Sequence, residues 1–305
     1  MNVILLFLDG VGIGKPLPAV NPFFKANLPT LQSLLGKELF SAKRKRVSTA
    51  NAELVPVNAT LGVAGLPQSG TGQTAIFTGM NAAKFIKRHF GPYPTTELRS
   101  VIHEKNIFRQ LKALNKSVVF ANAFPKQFFE YTESGTRRLT VTTLSCIMSG
   151  VPLLTADVLR ANRAVSADLH RERWPEMGYH DLTPITSHEA GRHLAEIARE
   201  YDFTLFEYWL TDHAGHSQDM ANAVEVIQRF DAFLGGLLEH VDRDRTLIVL
   251  ISDHGNIEEL STKSHTRNAV PCIAIGKSRK QFVAKTRNLT HITPAIVNVL
   301  TMPDT

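Results

Sequence analysis

Cysteine is nearly absent: Cys146 and Cys272, far apart in sequence, are the two in 305 residues. So low a count excludes a disulfide framework and a thiolate metal site, and any metal binding falls to histidines and carboxylates. Long apolar runs are missing too. Val3–Leu8 (VILLFL) is too short to cross a membrane and lacks the basic flank and cleavage site of a signal peptide. The expected location is the cytoplasm, without a membrane partner. No internal repeat or low-complexity tract occurs, and the short basic run Lys43–Arg46 (KRKR) has no aromatic residue interleaved. A solvated turn is the expectation there, and no nucleic-acid partner. Acidic residues are outnumbered, 28 against 34 Lys and Arg, for a net charge of +6. That excess suits an anionic substrate and equally a solvated basic surface.

What the chain does have is core material. With 43% hydrophobic and 20% charged residues, it can build one large core, or a core plus a lesser insert. The unbroken apolar runs Val3–Leu8, Ser117–Phe120, Phe203–Leu210 and Leu247–Ile251 predict strands buried on both faces, as in a parallel sheet. Amphipathic segments at Pro22–Leu35, Ile102–Leu114, Glu189–Tyr201, Ala221–His240 and Pro294–Leu300 predict helices between them, and Thr186 with Glu189 spells a capping box. This alternation implies an α/β fold, a mostly parallel central sheet with helices on both faces. The stretch 126–185 breaks the alternation and reads as a small inserted cap, leaving 1–125 and 186–305 as a discontinuous core domain.

In such sheets, ligands bind beyond the carboxyl ends of the strands. Three acids stand there: Asp9, Asp212 and Asp253. Asp212 and His216 share a helical face if a turn begins at Asp212, so a carboxylate oxygen and an imidazole nitrogen can converge on one cation. Asp253 and His254 are adjacent at a strand end, and His265 follows eleven residues on, with Arg267 close behind. The Gly-rich LPQSGTGQTA (Leu66–Ala75) places Ser69 at a helix start, where backbone N–H groups and the helix dipole favour a phosphate. Coordination to a divalent cation would activate that hydroxyl without a histidine base. The opening Asp9–Gly14 run is no dinucleotide loop: Lys15 stands where the third glycine belongs, and Asp9 would repel a pyrophosphate.

These motifs resemble the alkaline phosphatase superfamily, and most closely the metalloenzyme core of cofactor-independent phosphoglycerate mutase. SDHGNIEEL (Ser252–Leu260) is similar to the mutase A-D-H-G-N-x-E signature, HTRNAVPCIAIG (His265–Gly276) to its H-T-x-N-P-V-P strand, LTDHAGH (Leu210–His216) to its D-x-V-G-H element, and LFLDGVG (Leu6–Gly12) to its L-D-G-x-G start. The resemblance implies that Asp9, Ser69, Asp253 and His254 surround one metal, and Asp212, His216 and His265 another. SGTGQTAIFTG also looks like the phosphatase pattern S-x-x-x-x-T-A-x-x-T-G, which favours Ser69 as nucleophile and keeps Thr71 as the alternative.

Mixed carboxylate and imidazole ligands imply two divalent ions, manganese or zinc. Arg267 is a candidate phosphate contact, and Glu130, Glu133, Arg137 and Arg138 are cap residues with a role in substrate selection or in plain solvation. The mutases carry a large domain between nucleophile and second metal site, with an H-S-H segment that this chain lacks. The expectation is therefore a two-metal phosphohydrolase acting on a small phosphate monoester or diester through a phosphoseryl intermediate. The alternatives are a phosphomutase with a reduced cap and an inactive metal-binding regulatory module.

Overall fold

The computed structural model describes residues 1–36, 46–135 and 138–302. Seven strands, β1 (Asn2–Leu8), β2 (Val47–Ser48), β3 (Ala52–Val57), β4 (Val118–Phe120), β5 (Phe203–Tyr208), β6 (Thr246–Ile251) and β7 (Val270–Gly276), form one sheet in the order β2-β3-β7-β6-β1-β5-β4. β6, β1, β5 and β4 pair in parallel, while β7 runs antiparallel to β6, and β3 to β7. β3 therefore points the same way as the parallel set, and only β7 and β2 oppose it.

β5 and β6 are buried at every residue, and β1 at all but its first, because helices cover both faces. Alternate side chains divide cleanly. Ile4, Leu6, Phe206, Ile248 and Leu250 pack against the helices Ser187–Ala198 and Met220–His240. Val3, Leu5, Phe7, Leu205 and Val249 face those at Ser69–Thr78, Ile107–Ala113 and Ile292–Thr301. The first two helices cross at glycines: a Cβ on Gly191 would collide with the Phe233 carbonyl, and one on Gly236 with that of His188. The expected capping box at Thr186 and Glu189 forms.

Several expected elements differ in extent. The run Phe203–Leu210 stops as a strand at Tyr208, because Trp209 turns the chain and Leu210 opens a helix ending at Ser217. Pro22–Leu35 divides into a 3-10 turn, Pro22–Phe24, and a helix, Pro29–Leu35, since Leu28 precedes a proline and stays out of the helical region. Ile102–Leu114 divides at Asn106, whose side chain accepts from Arg109 N and starts a second helix. The strands β2 and β3 escaped the apolar pattern because β3 carries Glu53 and Pro56. Glu53 is buried against Arg46 and Ser48, and β2 is too short to reach Pro56, so the missing N–H costs no ladder bond.

Within 126–185, the helix Val141–Met148 sinks into the main core through Val141, Leu144 and Cys146. The remainder closes a small cluster around Trp174, Leu159 and Leu182. Lys43–Lys45 of the basic run, and Arg137, lie outside the described residues. Among the described residues, no helix is long and apolar enough to cross a membrane.

Candidate metal centre

Adjacent parallel strands β5, β1 and β6 end side by side, and this alone carries Asp212, Asp9 and Asp253 to one edge of the sheet. Gly10 (φ +69°) permits the closest approach, since a Cβ there would lie 2.8 Å from Asp212 Cβ. This is the physical reason for glycine after Asp9.

His254 sits at the centre. Its Nε2 lies 3.0 Å from Ser69 Oγ, 3.3 Å from Asp9 Oδ1 and 3.6 Å from Asp253 Oδ2. Its ring stacks on His265 at 3.7 Å. Asp212 Oδ1 lies 3.7 Å from His265 Nε2, and Asp212 Oδ2 lies 3.2 Å from His216 Nε2. All seven expected ligands therefore meet in one place. Their ligand atoms form two groups, Asp212–His216–His265 and Asp9–Asp212–His254, with Asp212 common to both.

The imidazoles are oriented from behind. His216 Nδ1 donates to Lys263 O at 2.8 Å and His265 Nδ1 to Pro67 O at 2.9 Å, which leaves both Nε2 atoms pointing inward 3.2 Å apart. Asn256 Nδ2 donates to Asp212 Oδ1 at 2.7 Å. Glu258, also buried, gathers Gly12 N, Asn256 N and Asn268 Nδ2, tying three loops together behind the site. Asn256 and Glu258 were not expected as site residues, although both stand inside the SDHGNIEEL motif.

The charges around the three carboxylates come from one another and from histidine. Burial, with the neighbouring carboxylates, lifts Asp9 well above the usual range, and burial also lifts Asp253. Burial disfavours a charged His254, yet Asp253, Asp9 and Asp212 override it and hold the imidazole at about 10. His265, buried beside that cation, falls to about 4. Asp253 Oδ2 and His254 Nδ1 are buried without hydrogen-bond partners. Such a set of inward oxygens and nitrogens, with surplus negative charge, suits divalent cations. The residues present fit the expected metals.

Ser69 begins its helix with its hydroxyl aimed at His254, whereas the Thr71 hydroxyl is engaged locally, donating to Gln68 O at 3.0 Å and accepting from Phe90 N. Gln73, on the same helix, donates to Asp9 Oδ2. Arg267 is exposed on the loop beyond His265, and its charge adds to the burial that chiefly holds His89 below its ordinary range. Glu130 pairs with Lys126 on the surface, and Glu133 is exposed. Glu207 was missed. It sits buried near the end of β5, where burial pushes its carboxyl up to about 7 against a 2.6 Å hydrogen bond from Thr142. A lone glutamate in the apolar run FTLFEYWL was the available signal.

Residues 174–304 match the Metalloenzyme superfamily. The match spans less than half of the chain, and over that segment the chain is similar to that superfamily. It is 25% identical, over 133 residues, to the 2,3-bisphosphoglycerate-independent phosphoglycerate mutase of Moorella thermoacetica, a match covering 41% of this chain and 26% of that one. The chain spans about a quarter of the length of the curated relatives it matches. In fold, the chain resembles a protein from Pyrococcus horikoshii (TM-score 0.59, 12% identity, 100% and 98% of the two chains covered). It also resembles the alkaline phosphatase of the Antarctic bacterium TAB5 (TM-score 0.56, 14% identity, 99% of each chain). The relatives matched by sequence bear the name of a mutase, and the TAB5 neighbour in fold that of an alkaline phosphatase.

Proposed function

We propose that the chain is a phosphohydrolase that takes small phosphate monoesters or diesters, works with two divalent ions, manganese or zinc, and acts in the cytoplasm. The observation that carries this reading is Ser69 Oγ, 3.0 Å from His254 Nε2 and next to a cluster of three aspartates. Asp9, Ser69, Asp253 and His254 would hold one ion and Asp212, His216 and His265 the other, with Asp212 close enough to lean on both. When bound, the ions supply charge neutralisation for the attacking and leaving oxygens.

The chain's own residues do the rest. The Ser69–Thr78 helix opens at Ser69, where its dipole and the first N–H groups favour an incoming phosphate, the Thr71 N–H being already taken by Phe90 O. Ser69 Oγ gives up its proton to solvent and forms a bond to phosphorus, and the ester oxygen departs with the bonding pair and takes a proton from water. Water then cleaves the bond from Ser69 Oγ to phosphorus, releasing inorganic phosphate from a monoester or the remaining phosphomonoester from a diester, and the hydroxyl is restored. Asn256 and Gln73 keep the Asp212 and Asp9 carboxylates in place through both steps. Two buried, unpaired cysteines are compatible with a reducing compartment.

The test is release of phosphate from monoesters, and of alcohol and phosphomonoester from diesters, by purified protein with added manganese or zinc. Isomerisation of a sugar phosphate or phosphoglycerate without phosphate release would instead establish the mutase reading. Absence of any turnover with two ions bound would leave a binding module.

A further inference from the structure

A cavity of about 600 Å³ opens directly beside Asp9, between the sheet edge and the 126–185 segment. This is the volume range of small-molecule sites. It adjoins the metal centre on three sides. Asp9 lies at its floor, Tyr93 comes from the loop whose backbone packs on Gly70 next to Ser69, and Trp209 comes from the turn three residues before Asp212. Its outer wall is aromatic. Phe124 stacks on Phe128 at 4.4 Å and Phe128 neighbours Tyr131 at 6.4 Å, while Trp174 stands buried with its Nε1 donating to Ser166 Oγ.

The helix bearing part of that wall, Lys126–Glu133, is peculiar in one respect. It has an apolar face, yet none of its residues is buried. Phe128, half-buried where one side packs against the main core, and the exposed Tyr131 both line the cavity, and the surface they present there is left for an occupant to cover. A ring sandwiched there would leave its attached phosphate at Asp9 and Ser69, the place where the chemistry is proposed.

We propose that this cavity is the leaving-group subsite, and that the substrate is a phosphate ester whose organic part carries an aromatic ring. The inference rests on the phosphohydrolase reading. Flat rings stacked against aromatic side chains gain both burial and edge or face contacts, and a single such contact is worth about tenfold in affinity. Esters of small polar alcohols would leave the aromatic wall uncovered and gain neither.

The experiment compares benzyl phosphate with glycerol phosphate, esters of alcohols of similar basicity, and adds a binding readout that needs no turnover. Both tryptophans of the chain, Trp174 and Trp209, line the cavity, so intrinsic fluorescence reports its occupancy. The expected result is a kcat/KM at least about tenfold higher for benzyl phosphate. Phe128→Ala should lower that value about tenfold and so narrow the ratio between the two esters. Benzylphosphonate, which cannot be hydrolysed at its P–C bond, should shift the tryptophan emission saturably, while methylphosphonate should not. Equal kcat/KM for the two esters, or an emission change identical for the two phosphonates, overturns the subsite. A saturable benzylphosphonate response with no phosphate released from either ester supports the cavity's preference and refutes the hydrolase reading on which its catalytic role rests.

Discussion

Ser69 Oγ and His254 Nε2 lie 3.0 Å apart although 185 residues separate them in sequence. One residue opens a helix and the other follows a strand, and the pair joins the helix N-terminus to the acidic end of the sheet. Thr71, two residues on, spends its hydroxyl on Gln68 and Phe90. Ser69→Ala should therefore reduce turnover by more than about a thousandfold with its unfolding temperature nearly unchanged. Thr71→Ala should lose about 1 kcal/mol of stability and keep turnover within severalfold. Full activity in the Ser69 variant would remove it as nucleophile.

Asp212 belongs to both candidate ligand groups and His216 to one. Elemental analysis of metal-saturated protein should find about two ions per chain in the wild type, about one in His216→Ala, and fewer than one in Asp212→Ala. Equal losses in the two variants would contradict a shared carboxylate.

Glu207 gives a pH dependence whose sign follows from burial. Its carboxyl stands at about 7 in the fold against an ordinary 4.5, so the fold favours the protonated form. Its contribution is complete below pH 4.5, and it is lost as the pH rises toward 7, a decline of about 3 kcal/mol. In chelator-treated protein, the stability of Glu207→Gln relative to wild type should rise by that amount between pH 4.5 and 7.5, measured by urea unfolding. A constant difference across this window would show that Glu207 is ionised throughout.

At the helix crossing, Gly191→Ala and Gly236→Ala each place a methyl group against a backbone carbonyl that cannot rotate away. Each should cost about 1–3 kcal/mol, read as a lower unfolding temperature, with metal binding retained in the folded fraction. The double variant should cost less than the sum of the two, since once the helices have separated for one methyl they have room for the other.

The acids of the site were legible in the primary structure for a simple reason. A strand buried on both faces is an unbroken apolar run, and in a parallel sheet the residue just past its end faces the ligand. Asp9 and Asp253 follow such runs directly, and Asp212 follows after one turn. The helix start at Ser69 and the capping box at Thr186 were equally local, because both depend on residues within one turn.

What the chain alone could not decide depends on segments meeting through space. Asp212 reaches both ligand groups because Gly10 lets one loop press on another, some 200 residues away in sequence. Glu258 and Asn256 hold the site from behind through bonds to three separate loops, and no local spacing announces such partners. The strand β3, between β2 and β7, hid behind Glu53 and Pro56, which only its neighbours make tolerable. The aromatic cavity forms where the 126–185 segment meets the end of the sheet, and local sequence registers the apolar face of Lys126–Glu133 but not which residues from other segments line the space beside it.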